Sequence, residues 1–346
     1  VKHALAVTSG TTTLEIALRA LGIGYGDEVI VPPFTFYATV SAVIVNNATP
    51  VFVDIESDSY NIDPEKIEAA ITPRTKAIIP VHIGGRACNM DRIMEIAKKH
   101  NLYVIEDCAH AHGSEWKGQR VGSIGDAGSF SFQNSKNLTC GEGGCLTTNN
   151  TALYEKMWSI HCCGRDFHDT GWYVHPYVAT NARMTEFQAA VLIAQMEKLD
   201  EEIKMREENA AYLNSRLKEI PCVAPLPDDP NVTRNSYHLY LFKYFEEKCK
   251  GLPRETFIKA LQAEGISLCT QGYICLYKQP VFKGEEIKRL IDSKIDYSSL
   301  YLENVERAST KECIWLSQNM LLGSKKGIDE IADAIIKIYE NVDELL

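Results

Sequence analysis

Residues 131–139 read Ser-Phe-Gln-Asn-Ser-Lys-Asn-Leu-Thr, and after one cysteine residues 141–144 read Gly-Glu-Gly-Gly. A strand-like run ends in the first stretch, and the glycines of the second form a flexible turn that suits close approach by a ligand. Lys136 is therefore a candidate nucleophile. A lone lysine is more often a solvated surface cation, because its amine becomes reactive only when it is buried or lies beside another cation.

Upstream of this stretch, short β-rich runs alternate with amphipathic helical stretches, a pattern typical of a parallel sheet with crossover helices. Apolar residues at helical spacing predict one helix around residues 14–21 and another around residues 93–97. The predicted fold class is α/β, with a mostly parallel sheet. We expect its strands at 29–31, 51–53, 77–81, 103–105, 128–132 and 144–148.

Downstream, a long helical pattern begins at Thr185 and Glu186 and continues to about Leu217. A chain of 346 residues is longer than one core usually grows, so two domains are expected. Prolines at 221, 225, 227 and 230 interrupt the pattern and place the boundary there. We therefore predict a large domain at 1–220 and a smaller α+β domain at 221–346, the latter with a strand at 237–242 and helices at 254–263 and 328–345.

Charge and hydropathy exclude two classes of partner. The formal net charge of -10 argues against binding to a phosphate backbone, which needs a basic face. The sequence has no apolar run of the length that spans a bilayer, which is about 18 or more residues. We expect a small-molecule partner, no nucleic acid and no membrane.

Eleven cysteines are scattered along the chain without a tight framework. Their odd number and wide spacing fit reduced thiols in the cytoplasm better than a disulfide scaffold. The closely spaced ones lack the CxxC pairs of a zinc site, so no metal is expected. The sequence begins Val-Lys-His-Ala without an initiator methionine or a signal-peptide pattern, and we expect the natural N-terminus to lie upstream.

Two further segments have the residue types of a ligand site. Residues 9–13 read Ser-Gly-Thr-Thr-Thr before an apolar-periodic helix, so they form either an anion site or an ordinary helix cap. Asp107 follows a buried-looking strand, and open α/β sheets bind ligands at the carboxyl ends of their strands. Alone, Asp107 fits a structural carboxylate equally well; together with Lys136, the set points to one site.

These segments resemble, in the same order, those of the DegT-type sugar aminotransferase family, within the fold type I pyridoxal-phosphate enzymes. The lysine segment is 131–144, the aspartate segment reads Glu-Asp-Cys-Ala-His-Ala at 106–111, and a third segment at 181–190 begins Asn-Ala-Arg-Met-Thr-Glu. The resemblance runs from Ser9 through the terminal helix. It implies a mostly parallel sheet with helices on both faces, plus a smaller α+β domain.

The resemblance also implies a role for each matching residue. Lys136 would carry pyridoxal 5'-phosphate as a Schiff base, and Asp107 would contact its ring nitrogen. Phe36 would stack on the ring, although such an aromatic is more often part of the core, and His110 would lie near the phenolic oxygen. The phosphate would be held by Gly10, Thr11 and Ser131, and by Asn181 of the neighbouring subunit; otherwise Asn181 is a buried or capping residue.

The implied activity is amino transfer in two half-reactions, with ping-pong kinetics. An anionic Asp107 would keep the ring nitrogen protonated, and Lys136 would act as general base and acid at the α-carbon. By resemblance, the amino donor is glutamate or glutamine. The shared phosphate site implies a homodimer with active sites at the interface.

The acceptor is a keto-sugar or a keto-cyclitol. The spelling Ser-Phe-Gln at 131–133 and the segment 272–277 favour members that act on cyclitol ketones of the scyllo-inosose type. Several nucleotide-sugar enzymes carry His-Tyr where this chain has Gly272-Tyr273. Tyr273 and Tyr277 either face the acceptor or pack the domain.

Two other functions stay open. A sugar dehydratase of this fold has a histidine in place of the lysine, so Lys136 argues against it. A cofactor-binding regulator without catalysis is disfavoured by the presence of both Asp107 and Lys136.

Overall fold

The computed structural model describes residues 1–292 and 294–346. Seven strands form one sheet, and the hairpin of β6 and β7 stands apart. The strands in this half of the chain are β1 (His3–Val7), β2 (Glu28–Val31), β3 (Thr49–Phe52), β4 (Thr75–Ile78), β5 (Tyr103–Asp107), β6 (Glu115–Trp116), β7 (Gln119–Arg120), β8 (Ala127–Ser131) and β9 (Gly144–Thr148). Their order in the large sheet is β1-β9-β8-β5-β4-β2-β3. In that sheet β9 runs in the direction opposite to the other six strands, so the predicted mostly parallel sheet is confirmed.

Helices cover both faces of this sheet. The α-helices of the described residues, in both halves of the chain, are α1 (Gly10–Ala20), α2 (Ala38–Val45), α3 (Pro64–Ile67), α4 (Met90–His100), α5 (Thr151–His161), α6 (Glu186–Leu217), α7 (Arg254–Ala263), α8 (Glu285–Leu290), α9 (Glu303–Arg307) and α10 (Lys325–Glu340). Alternate side chains of β2 point to opposite faces. Val29 and Val31 pack with α1 and α2, whereas Ile30 packs with α4. The α/β fold class is therefore confirmed.

A second sheet lies in the C-terminal half. Its strands are β10 (Val223–Pro225), β11 (Leu239–Tyr244), β12 (Cys269–Gln271) and β13 (Cys313–Ser317), in the order β10-β11-β13-β12, and all of its pairs are antiparallel. Helices α7 and α10 and the end of α6 pack against it in one apolar cluster. A domain boundary near residue 220 stays a prediction.

Some predicted bounds are confirmed and others are wrong. The long helix is α6, where Thr185 and Gln188 form a capping box, and α7 has the predicted bounds. The strand predicted at 237–242 starts at Leu239, because Tyr237 has φ +46° and cannot be extended. The terminal helix begins at Lys325, after the N-cap Ser324, and ends at Glu340.

Among the described residues, no helix combines the length and the apolar character that crossing a bilayer demands.

Candidate active site

One cavity of about 800 Å³ lies at the carboxyl ends of the parallel strands and extends to the second sheet. Such a position is where open α/β sheets bind ligands. Of the eight residues proposed from the sequence, seven line this cavity, namely Gly10, Thr11, Phe36, Asp107, His110, Ser131 and Lys136. Residues that are far apart in the sequence thus meet in one place.

Lys136 follows β8 in a short turn. Its N–H donates to the carbonyl of Gln133 at 2.9 Å, and the Gln133 Oε1 atom accepts from the N–H of Ser135 at 2.9 Å. The surrounding protein lowers the pKa of the half-buried Lys136 amine to about 8, whereas nearby Asp107 acts to raise it. A larger fraction of this amine is therefore neutral near pH 8 than in an ordinary lysine, and a neutral amine can attack a carbonyl carbon.

Asp107 is the last residue of β5 and is 4% exposed. Its Oδ2 atom accepts from the Thr39 hydroxyl at 2.8 Å, and its Oδ1 atom accepts from the N–H of Ala109 at 3.1 Å. Burial raises the pKa of Asp107, and these two donors and the charge of Lys136 oppose the rise. A buried carboxylate of this kind is stabilised by a cation placed in the cavity.

The first turn of α1 meets the end of β8. Ser9 caps the helix by accepting from the N–H of Thr12 at 3.1 Å, and Gly10 and Thr11 of the same turn line the cavity. A Cβ atom on Gly10 would lie 2.6 Å from the Cβ atom of Ser131, so only glycine allows this approach. A helix N-terminus beside a serine hydroxyl suits an anion such as phosphate.

Three side chains form the wall of the cavity that faces the second sheet. The His110 Nδ1 atom accepts from the N–H of Gly84 at 3.3 Å, and its Nε2 atom lies 3.3 Å from the Tyr273 hydroxyl. The His110 ring packs against His238 at a tilt of 40°, with 4.3 Å between ring centroids. Burial and the charge of Lys136 hold the pKa of His110 well below its usual value, so its ring is neutral.

Phe36 and Asn181 differ in position from the rest. Phe36 is 60% exposed at the edge of the cavity, where its ring is available to a ligand. Asn181 is exposed, and its side chain accepts from the N–H of Arg183 at 3.3 Å. Since Asn181 does not line the cavity of its own chain, the structure does not bring it together with the other seven.

Thr39 and His238 are site residues that the sequence analysis missed. Thr39 lies in the first turn of α2 and bonds to a carboxylate 68 positions away, and no motif marks it. His238 precedes β11 and lines the cavity from the second sheet. The only local signal was a histidine near the start of the strand predicted at 237–242.

A cluster of His82, Glu106 and Cys108 is buried beneath Asp107. The His82 Nδ1 atom accepts from the N–H of Cys88 at 3.0 Å, so its other nitrogen carries the proton and faces Glu106 at 3.2 Å. Glu106 also accepts from the N–H groups of Gly122, Ile124 and Gly125. Hydrogen bonds within the protein thus occupy the histidine and the carboxylate, which brace the strand end below the cavity.

Proteins of similar sequence and fold identify the family of this chain. The sequence model of the DegT/DnrJ/EryC1/StrS aminotransferase family matches residues 1–320. The L-glutamine:2-deoxy-scyllo-inosose aminotransferase of Streptoalloteichus tenebrarius is 36% identical over 358 residues, covering 100% of this chain and 84% of that protein. The GDP-perosamine synthase of Caulobacter vibrioides is 44% identical over 268 residues, covering 77% and 71%. The crystal structure of 3-amino-5-hydroxybenzoic acid synthase matches with a TM-score of 0.87 and 36% identity, covering 97% of this chain and 87% of that one.

Proposed function

The chain belongs to the DegT/DnrJ/EryC1/StrS aminotransferase family, and we propose that it transfers the amino group of L-glutamine to the ring ketone of a polyhydroxylated cyclitol. The enzyme is a pyridoxal-phosphate-dependent aminotransferase. The observation that carries the proposal is the pairing, in one cavity, of a lysine whose pKa is lowered to about 8 with a buried aspartate.

The residues of the cavity fit pyridoxal phosphate. Lys136 would offer the amine for its aldehyde and Asp107 the anion for its ring nitrogen, while Phe36 would pack on the ring and His110 would lie near the phenolic oxygen. The phosphate would be held by Gly10, Thr11 and Ser131. The missing Cβ atom of Gly10 and the acceptor character of Asp107 match these two ends of the molecule.

When bound, pyridoxal phosphate acts as an electron sink for a carbanion at the reacting carbon. Lys136 Nζ takes the proton from the α-carbon of the amino donor. In the second half-reaction Lys136 returns a proton to the acceptor carbon that gains the amine. Asp107 holds its negative charge against a cation throughout, and Thr39 keeps the carboxylate in place. Amino transfer in two halves predicts ping-pong kinetics.

The charges in the cavity support an acceptor without a diphosphate. Lys136 is the one cationic side chain among the residues that line this cavity. A neighbouring cavity of about 640 Å³, which shares Phe36, Tyr273 and Trp315 with it, has neither lysine nor arginine among its lining residues. Phosphate groups are usually bound by such cations. The hydroxyl and amide groups of Gln133, Ser135, Gln262 and Thr270 suit a neutral polyol instead.

The same charges favour glutamine as the amino donor. The Glu142 carboxylate lines the cavity and would repel a second carboxylate at the end of the donor side chain. An amide carries no charge and can donate a hydrogen bond to such a group. This agrees with the glutamine in the name of the inosose relative.

A nucleotide-linked keto-sugar is the second candidate acceptor. It is favoured by the 44% identity to the GDP-perosamine synthase over 268 residues. Purified enzyme loaded with pyridoxal phosphate separates the two candidates. L-glutamine should convert the visible chromophore to the pyridoxamine form, and 2-deoxy-scyllo-inosose or scyllo-inosose should restore it. Restoration only by a nucleotide-linked keto-hexose would reject the cyclitol.

A homodimer with shared active sites is part of the proposal. The first half of α6 is rich in apolar residues and exposes large side chains, with Phe187 88% and Ile193 65% exposed. A helix of this kind is normally buried. Trp172 and Val178, in the segment that leads to Asn181, are 93% and 83% exposed. A second copy that covers this surface would let Asn181 reach the phosphate of the neighbouring site.

The cytoplasm is the proposed location, because the eleven cysteines are unpaired, as expected in a reducing compartment.

A further inference from the structure

Hydrogen bonds hold the segment 235–238 against residues on the large sheet's side of the cavity. The buried Ser236 donates from its hydroxyl to the carbonyl of His110 at 3.0 Å, and its own carbonyl accepts from the Asn137 amide at 2.7 Å. Tyr237 has φ +46°, a conformation that costs a non-glycine residue free energy. These contacts impose the backbone conformation that places the His238 ring in the cavity wall.

Asn137 determines which nitrogen of His238 carries the proton. Its Nδ2 group donates to Ser236, so its Oδ1 atom is the one that faces His238 Nδ1, at 3.0 Å. An amide oxygen only accepts, and Nδ1 must therefore be the donor. In a neutral ring this leaves a lone pair on Nε2.

The His238 ring is neutral at physiological pH. Burial and the positive charge of Lys136 hold its pKa well below the usual value, with His112 and Arg206 adding to the effect. The ring packed against it, His110, is neutral for the same reasons. In the described part of the chain no acidic side chain contacts the ring to oppose this.

The Nε2 atom of His238 is open to the cavity. No group of the described residues donates a hydrogen bond to this atom, and the atom keeps some exposure to solvent. In His110, by contrast, Tyr273 occupies Nε2. The wall beside Lys136 thus presents a fixed, uncharged hydrogen-bond acceptor.

A fixed acceptor binds a hydroxyl group better than a carboxylate. Each hydroxyl of a polyol can donate to a lone pair, whereas the α-carboxylate of an amino donor has only acceptor oxygens. We propose that His238 is a specificity-determining residue that accepts, at Nε2, a hydrogen bond from one ring hydroxyl of the polyhydroxylated ketone. The proposal rests on the proposed function, because it requires an acceptor with ring hydroxyls.

The contact between His238 and the ring hydroxyl is tested by changing the residue and the substrate in turn. Wild-type enzyme and His238→Phe, which keeps an aromatic ring against His110, are compared in each half-reaction separately. The acceptor half-reaction of the variant should lose about 10- to 100-fold in kcat/KM, because the ring hydroxyl would be buried without an acceptor. Its donor half-reaction with L-glutamine should change by less than about threefold. His100→Phe, at the end of α4 with its ring bonded to Glu68, is the matched control.

Ketones that each lack one hydroxyl identify the ring hydroxyl that His238 binds. Removal of one particular hydroxyl from scyllo-inosose should lower kcat/KM in the wild-type enzyme and have little effect in His238→Phe. Equal losses in both enzymes for every deoxy ketone, or a loss confined to the donor half-reaction, would overturn the contact. If His238→Phe does not fold, His238→Leu takes its place, because its side chain also lacks an acceptor atom.

A second measurement separates this proposal from the proposed acceptor. In ¹⁵N NMR spectra of histidine-labelled protein, His238 should show an unprotonated Nε2 and a protonated Nδ1 from pH 6 to pH 9. A protonated Nε2 would overturn the inference whatever the substrate. If the wild-type enzyme uses no inosose, the acceptor class is wrong, and the same comparison is run with a nucleotide-linked keto-hexose and its deoxy analogues, whose ring hydroxyls test the same contact.

Discussion

The Thr39 hydroxyl donates a hydrogen bond of 2.8 Å to the Oδ2 atom of Asp107, joining the first turn of α2 to the end of β5. Burial raises the pKa of Asp107, and Thr39 is one of the groups that lower it. The hydroxyl therefore favours the charged form of the carboxylate, and a charged carboxylate is what a protonated pyridine nitrogen needs as its partner.

Thr39→Val should make the charged form of Asp107 less stable without changing the shape of the site. The loss of one hydrogen bond to a buried charged group is worth about 1.5–3 kcal/mol, so we expect cofactor affinity and kcat to fall by roughly 10- to 100-fold between them. Absorbance titration with pyridoxal phosphate and steady-state assays measure both. Ser41→Ala removes a hydroxyl of the same helix that bonds only to a carbonyl of α2, and it should behave as wild type. Equal effects of the two changes would contradict the role of Thr39.

Lys136 should impose a pH dependence on the stability of the cofactor-free enzyme. Burial lowers the pKa of its amine to about 8, and the unfolded chain has an ordinary lysine value of about 10.4. Between these pH values the unfolded state binds more protons, so the free energy of unfolding rises with pH. The Tm of the wild-type protein minus that of Lys136→Met should therefore increase from pH 7 to pH 10. If the difference between the two Tm values in thermal denaturation does not change with pH, the Lys136 amine is not buried.

Gly10→Ala should damage the phosphate end of the site. The added Cβ atom would lie 2.6 Å from Ser131, and overpacking of this kind costs about 1–3 kcal/mol. We expect weaker binding of pyridoxal phosphate, measured by titration, with less effect on the KM of the acceptor. Gly327→Ala, where the new methyl group meets no atom within 4 Å, is the control. Unchanged cofactor affinity in Gly10→Ala would place the phosphate elsewhere.

Mixed subunits test whether Asn181 acts across a dimer interface. Lys136→Ala and Asn181→Ala enzymes should each be impaired alone. If each site takes its lysine from one chain and its asparagine from the other, one site of every mixed dimer is intact. Random mixing of equal amounts in a twofold-symmetric dimer then restores about a quarter of wild-type activity. No gain in activity after denaturation and co-refolding would mean that Asn181 acts within its own chain or not at all.

The sequence predicts those parts of the site that lie in contiguous segments. Asp107 was found because it follows a predicted strand, and strand ends converge at one edge of a parallel sheet. Lys136 was found because its segment follows the next predicted strand and resembles the lysine segment of the family. Thr39 and His238 escaped, because their contacts depend on how α2 and the segment before β11 pack against the sheet. No spacing in the sequence carries that information.

Element bounds failed for local reasons. The strand that contains Leu239 was predicted two residues early, because the alternation of apolar residues does not reveal the positive φ of Tyr237. The same distortion orients His238. A deviation from the simple pattern thus coincides with a residue of the cavity, as expected where function and regular structure compete.

The central claim is that Lys136 forms the covalent bond to pyridoxal phosphate, and borohydride reduction tests it most directly. The loaded enzyme is reduced, digested and analysed by peptide mass spectrometry. The pyridoxyl group should be found on Lys136, in the peptide that contains residues 131–139, and Lys136→Ala should carry none. A pyridoxyl group on another lysine, or no modification of an enzyme that remains active, would contradict the account.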